Sequence, residues 1–316
     1  MRHRLLSLLL AAPRRMVGGQ AVLEGVMMRG IDNWSLAVRT PEGGVWLDSW
    51  PLKSYMKRYR ALRLPIVRGV TALAESLAIG VKAIEKSANI QLGEDEAGEG
   101  QELGKKEMAG TIVLALALAI GLFFLAPLGI TRIFKDQLGT GLWFWLVEGG
   151  VRVGIFLLYL AIITRIPDLR RVFEYHGAEH MSIHALEHGD DLTVANVAKY
   201  RTLHVRCGTS FLLIVMVVSI AIFAVVRWPA WYYLILSRII ALPLIVGISY
   251  ELIRLAGRFE SHTVVRVIMA PGLFLQWMTT KKPDESQIEV ALASLERIVE
   301  LEPEDKPVPK GVEVMA

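Results

Sequence analysis

The chain has 316 residues, 53% of them hydrophobic, a formal net charge of only +4 and a single cysteine, Cys207. Several apolar stretches approach the length that a bilayer core demands of a helix, which argues against an ordinary soluble domain. The basic residues flank those stretches instead of forming a dense patch interleaved with aromatics, so no nucleic-acid partner is expected. One cysteine rules out an internal disulfide framework and fits a reducing compartment.

In chain order, residues 1–16 read as a basic-apolar leader, uncleaved, lying on the membrane surface or disordered. Residues 17–63 read as a β-rich segment. Trp34–Thr40 and Val45–Trp50 alternate, and Pro41-Glu-Gly-Gly44 between them is turn chemistry, so a hairpin is expected there. Before it, the glycine-dense run with Gln20, Glu24 and Arg29 reads equally well as a loop reaching toward a site or as a twisted edge strand with a bulge. Residues 64–92 form an amphipathic helical pattern opened by Pro65, either lying on the surface or packed on protein. Arg68, Glu75 and Lys82 recur every seven residues along it and read as a solvated seam. Residues 93–108 form an acidic, glycine-rich disordered linker.

Residues 109–253 read as a four-span membrane domain, with spans at 109–130, 143–166, 211–226 and 231–253. Glu148 and Arg152, one turn apart, are placed to pair. Arg238, two turns into the fourth span, is placed to snorkel or to pair with Glu148, and Pro243 should kink that span. Lys and Arg concentrate before the first span, in the loop 167–209 and in the tail. The positive-inside rule therefore puts both termini and that loop on the cytoplasmic side of the cell membrane. Residues 254–301 follow as cytoplasmic amphipathic helices, the first amphipathic or re-entrant and broken near Ala270-Pro-Gly272. Residues 302–316 are a tail. The expected fold class is thus an α-helical integral membrane protein with a small cytoplasmic α+β cap that includes the N-terminal hairpin.

The chemistry concentrates in the loop 167–209. Seven histidines occur in the chain, and His176, His180, His184 and His188 fall at successive intervals of four. The segment 170–188 should be helical and end at Gly189, which makes His176 and His180 neighbours on one face, able to chelate one ion. His176-Gly-Ala-Glu-His180 fits the H-x-x-E-H pattern of inverted zincins, with Glu179 as the base that reaches the bound water. Each step of four drifts by about 40°, so all four histidines cannot serve one ion. His204 and Cys207, three residues apart, are the best further ligands. A site filled by imidazoles and thiolate would be structural, and one with an open position catalytic. Cys207 as a nucleophile with His204 as its base is a weaker alternative. A plain polar interfacial helix is the bland reading of the whole segment, and Glu24 and Glu251 read as structural partners.

Val17–Arg29, Tyr175–His180, Thr202–Phe211 and Gly247–Leu252 together resemble the YqhQ-like family of bacterial multi-pass membrane proteins. That family is a domain of unknown function described as metal-dependent enzymes. The resemblance spans about 17–301 and implies a divalent metal. Met181 stands where the family usually has a basic residue, and Val205 where it has proline or a basic residue. Neither is a proposed ligand.

Taken together, a zinc (or other divalent transition metal) hydrolase is expected, acting on a membrane protein or lipid at the bilayer. The rivals are a scaffold or assembly factor with a structural His/Cys zinc site and, third, a small transporter. The oligomeric state is left open.

Overall fold

The computed structural model describes residues 17–93, 105–139, 141–204, 207–225, 231–258 and 263–302. The leader, nearly all of the acidic linker and the tail beyond Glu302 lie outside the described residues, as does the side chain of Arg238.

Four strands open the chain: β1 (Gly18–Val22), β2 (Gly25–Arg29), β3 (Asn33–Arg39) and β4 (Val45–Pro51), an antiparallel meander in the order β1-β2-β3-β4. The expected hairpin is β3–β4, closed by Thr40 N–H to Gly44 O at 2.9 Å, with Gly43 at φ +90°. The glycine-dense run before it is a strand pair whose outer member, β1, is an edge strand. Alternation sorts the side chains between two faces. Val26, Met28, Ser35 and Ala37 point one way, while Met27, Trp34, Leu36 and Val38 point the other.

Both faces are covered. The helix α1 (Val67–Gln91) lays Ala83 and Ile90 on the second face, against Met27, Trp34 and Leu36. The helices α5 (Pro167–His188) and α9 (Glu285–Leu301) cover the first, through Tyr175, Ala178, Met181, Ile288, Ala291 and Leu295. The result is a three-layer cap in which the sheet lies between helices. The far half of α1 leaves the sheet and joins the apolar helices, with Ala72 clustering with Phe211, Val246 and Tyr250. Gly69 permits this approach, since a Cβ there would lie 2.6 Å from that of Tyr250.

The solvated seam on α1 is corrected here. Lys82 is exposed, but Glu75 is buried: its Oε2 accepts from Arg29 at 3.2 Å, and its Oε1 accepts from Ser54 Oγ at 3.1 Å and from Tyr55 N–H at 2.7 Å. Arg68 pairs with Glu251. Heptad spacing predicts a shared face but not what covers it.

Between α1 and α5 run α2 (Lys105–Ile120), a π turn (Gly121–Leu125), α3 (Ala126–Ile133) and α4 (Leu142–Ile163). The π turn sits immediately before Pro127, which has no N–H to give the preceding helix, and widening the helix there removes the mismatch. The continuous helix 109–133 and α4 are long and apolar enough to cross a membrane. Glu148 and Arg152 pair within α4, and the guanidinium lies over the rings of Phe124 and Phe223. After α5 come α6 (Gly208–Val225), α7 (Trp231–Arg258) and α8 (Thr263–Thr279). The break expected near Ala270–Gly272 is absent, because α8 continues through Pro271 as one helix. Gly272 instead lets α6 come close, a Cβ there falling 2.8 Å from Ser210 Oγ.

Candidate metal centre

The site is built on α5. Pro167 starts the helix, where a missing N–H costs nothing, and Gly189 ends it in the left-handed region at φ +75°. The span matches the expected one. Gly177 is required by a close crossing: a Cβ there would lie 2.0 Å from the carbonyl oxygen of Lys281, whose N–H donates to Phe173 O at 2.9 Å. That crossing brings the end of α8 alongside the histidines.

Two remote carbonyls then fix the imidazoles. Thr279 O lies 2.9 Å from His176 Nδ1, and Thr202 O lies 2.5 Å from His180 Nδ1. A carbonyl only accepts, so both Nδ1 atoms carry a proton, and in the neutral form of each ring the lone pair falls on Nε2. Metal-ligating histidines are commonly oriented this way. His176 Nε2 lies 3.3 Å from Cys207 Sγ. His180 Nε2 is buried and has no hydrogen-bond partner among the described residues. One ligand atom from each of His176, His180 and Cys207 lies within 4.8 Å of the others. Two imidazoles and a sulfur around an orphaned nitrogen fit a soft or borderline divalent cation.

Burial sets the protonation of these groups. It lowers His180 well below the usual histidine value, with His176 adding to the effect, so the ring is neutral. It raises the Cys207 thiol, opposed by hydrogen bonds from Thr209 and Ser210. Burial also pushes the Glu179 carboxyl up to about 8; His176 pulls it down and Cys207 adds to the rise. Glu179 is only 2% exposed and packs on the edge strand, where a Cβ on Gly19 would lie 2.6 Å from its Cγ. Gly19 of β1 therefore makes room for this carboxyl.

His204 stands apart from those three donors. It is gathered with His184 and Glu187, one ligand atom from each lying within 4.8 Å of the others, and its Nε2 is 3.2 Å from Glu187 Oε2. The sequence reading assigned no ligand role to His184 or Glu187. Their signal was present in the i, i+3 spacing on the histidine face. His188 is exposed, with its Nδ1 2.7 Å from the carbonyl of His184. Glu24 engages Arg171 and Tyr175, and Glu251 engages Arg68, so both serve as structural partners.

Residues 64–301 match a family described as "Protein of unknown function (DUF1385)". The chain is also 31% identical over 297 residues to "Uncharacterized protein YqhQ" of Bacillus subtilis (strain 168), which covers 90% of this chain and 92% of that protein. No solved structure matches it. Matching a family model over most of its length, and this relative over nearly all of it, the chain belongs to the DUF1385, YqhQ-like family.

Proposed function

We propose that this protein crosses the membrane four times, with both termini and the α5 site on the cytoplasmic side. In this reading His176, His180 and Cys207 hold zinc or another divalent transition metal for hydrolysis of a membrane protein or lipid. The single observation that carries the metal is His180 Nε2, a buried lone-pair nitrogen with no donor among the described residues. Leaving such a group unsatisfied costs about 1–3 kcal/mol, and a cation bound there offsets that cost. The spans are supported by the outward apolar surface of the helix through 109–133, where Val113 is 65% and Leu118 is 64% exposed, and by the flanking Lys and Arg.

His176, His180 and Cys207 would hold the cation, and a site with only three protein donors would leave room for water or substrate. The cation supplies Lewis acidity toward a carbonyl or phosphoryl oxygen. Glu179 follows the first ligand by one helical turn, beside His176 and Cys207, in a site closed to bulk solvent. Burial favours its protonated form below about pH 8; ionised, its carboxylate would take the proton of the attacking water and return it to the leaving group. The Nδ1 bonds to Thr279 and Thr202 hold both imidazoles in one tautomer throughout.

The deep burial of His180 and Cys207, 1% and 4% exposed, favours a second reading, a structural metal site in a scaffold. Full-length protein purified in detergent separates the two. For the hydrolase, Glu179→Gln retains the metal and loses about 10²–10⁴-fold in turnover of micellar esters, phosphodiesters or peptides. For the scaffold, His180→Ala loses metal and stability together, and the wild type hydrolyses none of these substrates. Wild-type protein free of metal overturns both readings.

A further inference from the structure

We propose that His184, Glu187 and His204 form a second divalent-cation site on the same helix, with nitrogen and oxygen donors and no sulfur. It stands apart from the hydrolytic reading and requires no catalysis.

Helical spacing puts His184 and Glu187 on one face of α5, three residues apart. His204 reaches them from the segment that follows α5, and that segment is held in place from the far side. Gln276, fully buried in α8, accepts from His204 N–H at 2.8 Å and donates to His204 O at 2.7 Å and to Ser210 Oγ at 2.9 Å. Leu203 O accepts from His184 Nε2 at 2.8 Å, which fixes that ring as Thr279 and Thr202 fix the first pair. Backbone carbonyls orienting successive imidazoles are the support that ligating histidines need. The three side chains bring one ligand atom each to within 4.8 Å of one another, and His204 is only 4% exposed.

A histidine–carboxylate hydrogen bond would account for His204 and Glu187 alone. The third donor, His184, stands beside that pair, its ring centroid 4.7 Å from that of His204. His204 also stands 5.7 Å, centroid to centroid, from His180, so the second cluster borders the first. The donor sets differ in softness. Thiolate with imidazole selects zinc-like cations, whereas two imidazoles and a carboxylate also accept harder first-row ions such as manganese or ferrous iron. The two sites should therefore load independently.

Cobalt(II) is the probe, added to chelator-stripped, full-length protein in detergent micelles while bound metal per chain and the absorption spectrum are read. Only the Cys207 site can give a thiolate-to-cobalt charge-transfer band. The expected result is two cobalt ions per chain, with that band saturating at one equivalent. Glu187→Gln should bind one ion and keep the band, and His184→Ala should do the same. Cys207→Ser should lose the band and keep the second-site ion. A wild type that binds a single ion with the band present overturns the second site, and so does Glu187→Gln binding two. A wild type without the band whose bound cobalt is lost in Glu187→Gln would leave the second site standing and remove the His176/His180/Cys207 reading.

Discussion

The sheet and the helix through 109–133 are both rich in apolar residues, yet only the sheet buries them against protein on both sides. In β3, large Trp34, Leu36 and Val38 meet α1, while small Ser35 and Ala37 let α9 come so close that Ser35 Oγ donates to Ser294 O at 2.7 Å. In α2 there is no such division, and Leu114, Leu116 and Leu118 all face outward. Alternation of size records a protein neighbour on each side; uniform outward apolarity is what the proposed span requires of a helix among lipid chains. Protein neighbours also allow charges inside the cap, provided they are paired, as Arg29 and Glu75 are.

If that contrast is right, the largest effect falls on the buried pair. Glu75→Ala leaves buried Arg29 with its bond to Ser76 Oγ but without its carboxylate partner and should cost about 3–5 kcal/mol, read as a loss of thermal and denaturant stability in detergent. A cost below about 1 kcal/mol would mean that water reaches Arg29. Next, Leu295→Ala, in the core between α9 and the sheet, should cost about 2–5 kcal/mol. Leu118→Ala, on the outward face of α2, should stay within about 0.5 kcal/mol in the same detergent. Equal effects at the two leucines would erase the distinction between the regions. The smallest effect concerns how α9 is started. Asp284 accepts from Gln287 N–H at 2.8 Å and completes a capping box, so Asp284→Ala should cost about 1 kcal/mol. Burial raises the Asp284 carboxyl, but hydrogen bonds from Ser286 and Gln287 outweigh it, and its folded value lies below the ordinary one. The contribution of the cap is therefore complete above the unfolded carboxylate value, about pH 3.9, and is lost as pH falls through the lower folded value. A pH titration of stability should show that loss in the wild type and not in Asp284→Ala.

The features that follow from local periodicity were legible in the sequence: the β3–β4 hairpin, α5 ending at Gly189, α9, and the pairing of His176 with His180. What long-range contact decides was not. Thr279 and Thr202, which orient the two imidazoles, lie 103 and 22 residues away from them and offer only backbone carbonyls, which carry no sequence signal. His204 and Cys207 looked like one half-site because they are three residues apart. Neither lies in a helix or strand, however, and they face different clusters. Glu75 looked solvated because its partner, Arg29, sits on a strand 46 residues earlier. Gly19 signalled tight backbone space, but not that Glu179 would fill it.

The carboxylate of Glu302 accepts backbone N–H bonds from Ile31, Asp32 and Asn33 at 2.8, 2.6 and 2.9 Å, fastening the β2–β3 turn. The two ends of this clasp are 271 residues apart, roughly 15–50 s of synthesis at about 5–20 residues per second. During that interval β2 and β3 exist without α9, and the face it shares with α5 is at best half covered while the apolar helices are being made. The strands that leave the ribosome first are therefore among the last to be enclosed, and the cap depends on whatever shields that face until α9 is synthesised.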